Sequence, residues 1–226
     1  MARKVLLICG ILAALLYIGS DILAALSWEG YSYTAQSVSE LRAIGAPTRS
    51  FLMPILLIYT LLEIAFGFGV WRAATPGGLP KRSLRIAGAL LIGLGVLDLI
   101  GPLFSLNLNE AAGSLANTIH VIVTAVTLLL LLLVIGFGAT ANGRWFRLYS
   151  YATILLFIVT GVWSFLELPR IAANLPTPWL GVRERMGIFG YMLWLAVFAI
   201  VLWRDQATTA AGRPPADAGT PRLMPR

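Results

Sequence analysis

The residues best equipped for chemistry in this chain are few and unevenly placed. Of ten acidic residues, seven (Asp21, Glu29, Glu40, Asp98, Glu110, Glu167 and Glu184) cluster with the single histidine, His120, toward one end of a series of apolar runs. A carboxylate beside an imidazole can exchange protons or hold a polar ligand, and Arg183 and Arg185, flanking Glu184, can clamp an anion such as a headgroup or pair with Glu40 or Asp98. Helical spacing gives these groups common faces. Asn117, His120, Thr124 and Thr127 form one stripe; Thr160, Ser164 and Glu167 form a second; Gly10, Ala14, Tyr17 and Asp21 form a third. Each stripe carries an ionisable group toward the same end. Together they predict a polar pocket lined by Asp98, His120, Glu184, Arg183, Arg185, Glu40, Ser39 and Asp21. Glu63 stands apart near the middle of an apolar run and is expected to be protonated and hydrogen-bonded to a Tyr or Thr side chain.

The elements that must position these groups are membrane helices. The chain has 226 residues with 58% hydrophobic and 12% charged residues and a mean hydropathy of +0.83. Soluble domains carry about 25% charged residues. Six apolar runs, 5–26, 51–71, 84–104, 118–138, 148–168 and 187–203, each approach the roughly 20 residues needed to cross a bilayer. The expected fold is an all-α polytopic membrane helix bundle of about six transmembrane helices. It occupies residues 1–204 and is followed by a disordered cytoplasmic tail, 205–226, rich in Ala, Pro, Gly and Thr. The first run is too long for a signal-peptide core and reads as a retained helix. Glycines 67, 69, 88, 93 and 95 are expected to let helices approach closely.

Lys and Arg set the orientation. Twelve lie on the side bearing Arg3, Lys4, Arg72 and Arg204, against five on the side bearing Arg42, Arg49, Arg170, Arg183 and Arg185. The positive-inside rule places the first side, with both termini, in the cytoplasm. The net charge of +7 is spread over these short segments rather than concentrated in one patch, which argues against nucleic acid as a partner. The partner implied is the lipid bilayer of the cell membrane. No Gly-rich phosphate loop follows a strand, and one histidine supplies at most one such axial ligand to a haem, so the sequence names no cofactor.

The stretch Ser37-Val-Ser-Glu-Leu-Arg-Ala-Ile-Gly-Ala-Pro47 resembles the first outer loop of the domain of unknown function 998 family. Asp98 near the outer end of the third helix, His120 opening the fourth and Gly181-Val-Arg-Glu-Arg-Met-Gly187 before the sixth follow in the same order. The resemblance covers most of residues 5–204 and implies a bacterial or archaeal multi-pass membrane protein. It carries over no catalytic roles. Arg42 stands where that pattern has a small residue.

Three functions fit these residues. The first is binding or movement of a small polar ligand or lipid headgroup from the outer face. The second is a membrane-embedded lipid hydrolase using Asp98, His120, Glu40 and Glu184, with or without a metal ion. The third is a structural subunit whose polar groups join helices. The single histidine and the absence of a nucleophile-elbow sequence lean away from an enzyme. The orientation has a direct test. A cysteine introduced at Thr177 should react with an impermeant thiol reagent on intact cells, and labelling only after lysis would reverse the topology.

Overall fold

The computed structural model describes residues 2–74, 81–173 and 175–211. Seven α-helices are present among them: α1 (Ala2–Ser27), α2 (Arg49–Ala73), α3 (Lys81–Ile100), α4 (Leu115–Gly138), α5 (Arg144–Phe165), the short α6 (Leu168–Ala172) and α7 (Leu180–Ala211). Six stretches are long and apolar enough to cross a membrane. The protein is therefore a polytopic α-helical membrane protein. Pro76-Gly77-Gly78, whose residue types indicate a turn, lie outside the described residues, as do residues 212–226 of the expected tail, whereas residues 205–211 of that tail continue α7 as helix.

Neighbours in sequence are neighbours in space, and the first and last spans meet. α1 packs on α2, α2 on α3, α3 on α4, α4 on α5 and α5 on α7, and α7 returns to α1. The result is a closed ring of six long helices. The end carrying the segment 28–48 is the one that the count of basic residues expects to face outward, and it is called the outer end. α7 begins at Leu180, well ahead of the expected start at Gly187. Arg183, Glu184 and Arg185 can enter its first turns because each finds a partner there.

The inner half of the ring is filled. Trp194 stacks on Phe198 at 4.9 Å and on Phe146 at 6.1 Å, and Phe66 meets Phe198 edge-on at 5.8 Å. The Trp194 indole N–H donates to Ser150 Oγ at 2.9 Å, so the plug contains no orphaned donor at its centre. Lipid is as apolar as these side chains, so their association draws on close packing rather than on escape from water.

Close packing needs small residues at the crossings. A Cβ on Gly88 would lie 2.7 Å from the Trp71 backbone nitrogen and 2.9 Å from the Gly67 carbonyl. Gly67 and Gly88 thus bring α2 and α3 to backbone contact. Gly69 and Gly95 sit at similar crossings, whereas Gly93 has nothing within 4 Å. Gly88→Val should push the helices apart at a cost of about 1–3 kcal/mol. Gly93→Ala should stay within ~1 kcal/mol of wild type or gain. Thermal melting of the two purified variants would check this, and equal melting points would refute the contact.

Candidate functional site

The outer end is closed by a polar network centred on Arg185. Its Nε and Nη2 donate to the two Asp21 carboxylate oxygens at 3.0 and 3.3 Å, joining α7 to α1. Its Nη1 donates to the carbonyls of Tyr33, Gln36 and Gly181, and Nη2 also donates to the Tyr31 hydroxyl at 2.8 Å. The guanidinium lies 3.7 Å from the Tyr33 ring centroid, and the Tyr33 hydroxyl donates to Asp21. Burial pushes the Tyr31 phenol up to about 12, against the opposing pull of Arg185. It therefore stays protonated and able to donate to the Gln36 and Ser37 carbonyls.

Its neighbour Glu184 pins the same segment. Glu184 accepts the Val38 backbone N–H at 2.8 Å. Ser37 and Glu40 form a reciprocal capping box at the start of a short 3₁₀ helix, Val38–Arg42. The second Glu40 oxygen accepts from Gln36, and Ser39 Oγ lies 3.0 Å from Ser37 Oγ. Arg183 pairs with Glu167 at 2.6 Å and lies over the Trp163 ring. The pairing expected of Arg183 or Arg185 with Glu40 or Asp98 is thus replaced. α7 starts early, so these arginines face Glu167 and Asp21 on neighbouring helices.

Beneath this crown lies a cavity of about 220 Å³, bordered by α1, α2, α3, α4, α7 and the 3₁₀ helix. Its wall is mostly apolar, and its polar groups come from separate elements. Arg42, the last residue of the 3₁₀ helix, forms the roof. Asp98 sits in the last turn of α3, which gives way to a 3₁₀ turn at Gly101-Pro102 because proline supplies no N–H and disfavours helix before it. His120 comes from α4, and Tyr17, Tyr59, Thr60, Glu63 and Tyr191 complete the lining.

Depths follow from the helix rise of about 1.5 Å per residue. Gly95 packs against Ile64 and the Thr60 carbonyl, so Asp98 stands about one turn outward of Glu63. The cavity thus runs from a cation at its roof, past one carboxylate, to a second at its floor. Thr124 also lines it and is nonetheless exposed, although it lies more than two turns below the start of α4. The cavity therefore opens sideways at α4.

Several of these groups have no protein partner. Among the described residues the ion pairs join Arg170 and Arg183 to Glu167 and Arg185 to Asp21, leaving Arg42 and Asp98 unpaired. Burial alone would lower the Arg42 guanidinium, but the oxygens of Tyr17, Asp98, Tyr59 and Glu184 around it outweigh that and raise it, so it keeps its charge. His120 Nδ1 lies 2.9 Å from the Phe104 carbonyl, which can only accept. The proton is therefore on Nδ1, and when the ring is neutral Nε2 offers a lone pair. Glu63 receives the Tyr191 hydroxyl on Oε1 at 3.5 Å, while its buried Oε2 has no partner.

Of the residues singled out by sequence, Asp98 and His120 line the cavity. Asp21, Ser39, Glu40, Arg183, Glu184 and Arg185 belong to the crown above it. Arg42, Tyr59 and Tyr191 join the lining without a sequence signal strong enough to select them, although Tyr59 and Glu63 do share a helical face four residues apart. Among the described residues no three His, Cys, Asp or Glu side chains gather as a metal site.

Fold and site together define a multi-pass membrane helix bundle with a largely apolar cavity beneath its crown that a few ionisable groups border. The chain matches the family described as "Protein of unknown function (DUF998)" over residues 11–201, and it belongs to that family. No curated protein and no solved structure matches it.

The crown carries its own test. Both side chains of the Arg185–Asp21 pair are almost fully buried, at 4% and 2% exposure. Arg185→Ala would strand a carboxylate there, at a cost of about 3–5 kcal/mol. For a chain of this size that lowers the melting point by roughly 6 °C or more. A loss below ~2 °C would mean that the pair does not hold the crown.

Proposed function

We propose that this protein, seated in the cell membrane with its crown outward, binds a small polar molecule or lipid headgroup in the outer cavity. One observation carries the proposal: Arg42, Asp98 and the His120 Nε2 border the same cavity, and no protein group satisfies them. A charge at membrane depth costs several kcal/mol unless water or a partner meets it. Groups held apart around a shared space are supported as a site for something that enters that space.

The cavity's position favours binding, or entry from one face, over passage through the protein. The inner half is closed by Trp194, Phe198, Phe146 and Phe66. Lipid hydrolysis has less support, because Glu40 and Glu184 are engaged in holding the 3₁₀ helix rather than facing His120.

Native mass spectrometry of detergent-released protein tests the proposal, with wild type beside His120→Ala and Asp98→Asn. Wild type should carry an adduct that both variants lose. Removing one hydrogen bond to a charged group costs about 1.5–3 kcal/mol, or roughly tenfold or more in affinity. Adduct-free protein in all three samples, with unchanged melting points, would favour a structural subunit instead.

A further inference from the structure

The cavity's charges specify more than polarity. We infer that its occupant is a zwitterion, with its anionic group at Arg42 and its ammonium group at Asp98, an inference that rests on the ligand-binding reading above. The roof offers a cation and the wall a carboxylate, and neither is paired with the other or with a third side chain. An anion alone would answer Arg42 and face Asp98 unfavourably. A lone cation would do the reverse, and a neutral molecule would leave each charge with only the other, beyond ion-pair distance, as its counterion. Only a ligand carrying both signs meets both walls.

The surroundings of the carboxylate suit an ammonium group. Tyr17 and Tyr59 meet edge-to-face at 5.1 Å and both line the cavity, as does Tyr191. Aromatic walls beside a carboxylate attract organic cations. Below them Glu63, beside Tyr59 and Tyr191, brings a second carboxyl group to the same lining. At the roof, Arg42 can grip a phosphate or carboxylate through two parallel N–H bonds. Opposite, His120 Nε2 can accept a proton from a ligand hydroxyl or acid group.

Size sets the scale of the ligand. A cavity of about 220 Å³ holds a phosphoethanolamine group or a small amino acid, and falls short of the ~300–1,000 Å³ typical of drug-sized sites. The side opening at Thr124 admits either a headgroup with its acyl chains left in the bilayer or a free zwitterion. The chemistry recognised is the same in both cases.

Thermal melting of the full chain in nanodiscs made only of phosphatidylglycerol separates the possibilities. Phosphoethanolamine, glycine, ethanolamine and inorganic phosphate are compared at equal concentration. At about a hundredfold excess over its Kd, a zwitterionic probe should raise the melting point by roughly 5–10 °C. Ethanolamine and phosphate should each give less than half of that. Arg42→Gln and Asp98→Asn should reduce the zwitterion's shift to that of a single-charge probe, whereas Arg42→Lys and Asp98→Glu should keep most of it. Because the probe comparison is made on wild type, a variant that fails to fold does not blunt it.

Ethanolamine or phosphate matching the zwitterions would overturn the inference and leave ligand binding standing. No shift with any probe, together with adduct-free protein in native mass spectrometry, would remove both. No shift with any probe beside an adduct of single charge or none would remove the zwitterion alone. The source is read by releasing the protein from membranes with and without phosphatidylethanolamine. An adduct of diacyl-lipid mass found only with that lipid identifies a headgroup, and a small zwitterionic adduct in both identifies a free ligand. Either adduct upholds the inference.

Discussion

The outer half of this protein depends on the buried pair between Arg185 and Asp21. It joins the last helix to the first and so completes the ring at the end where the connecting segments are longest. A guanidinium offers five N–H donors, and here they also reach carbonyls in the segment between α1 and α2. One side chain therefore closes the ring and holds down its cover. Near the opposite end the same two helices meet through Lys4 over the Trp203 ring at 5.7 Å, a more exposed contact. The strong link lies where backbone carbonyls of the connecting segment turn toward the bundle and meet a donor.

The two halves of the bundle solve different problems. Around Trp194 aromatic rings stack across the helices, and α2 and α3 touch through paired glycines. In the outer half α3 stops at Gly101-Pro102, and α4 restarts at Ser114, whose hydroxyl caps it by accepting the Asn117 N–H. Asn117 then ties the intervening loop through Asn107 and Ala111, and His120 adds the Phe104 carbonyl. Interrupting α3 frees space beside Asp98, while these bonds keep the interruption from collapsing. The packed half gives rigidity and the interrupted half gives room.

The bundle itself is legible in the sequence because lipid demands long apolar runs, and six of them leave little else to build. Asp98 and His120 are legible for the related reason that an ionisable group in such a run is conspicuous. The crown is less so. Arg185 and Asp21 stand 164 residues apart, and no local spacing rule links them. Arg42 is the clearest omission: in a loop an arginine reads as a solvated or interfacial charge, and only the inward turn of the 3₁₀ helix makes it a roof. Glu184 shows the converse. By residue type it suits a site, yet it is engaged by the Val38 backbone N–H.

Crown and cavity are mechanically one device. Arg42 and Asp98 carry opposite charges and border one space, so attraction would draw them together if the roof could descend. A direct ion pair would satisfy both groups and leave little for a ligand to gain. The roof does not descend, because the 3₁₀ helix is held at its start by Glu184, by its own capping box and by the carbonyls gripped by Arg185, and Thr48 bonds back to the Leu41 carbonyl. Separation of the two charges is thus maintained by bonds made elsewhere. Stability is given up in the cavity and recovered in the crown, an arrangement suited to a preorganised site. Five of the six crown residues that sequence places with the ligand, Asp21, Ser39, Glu40, Glu184 and Arg185, act, on this view, by holding Arg42 away from Asp98, while Arg183 ties α7 to Glu167.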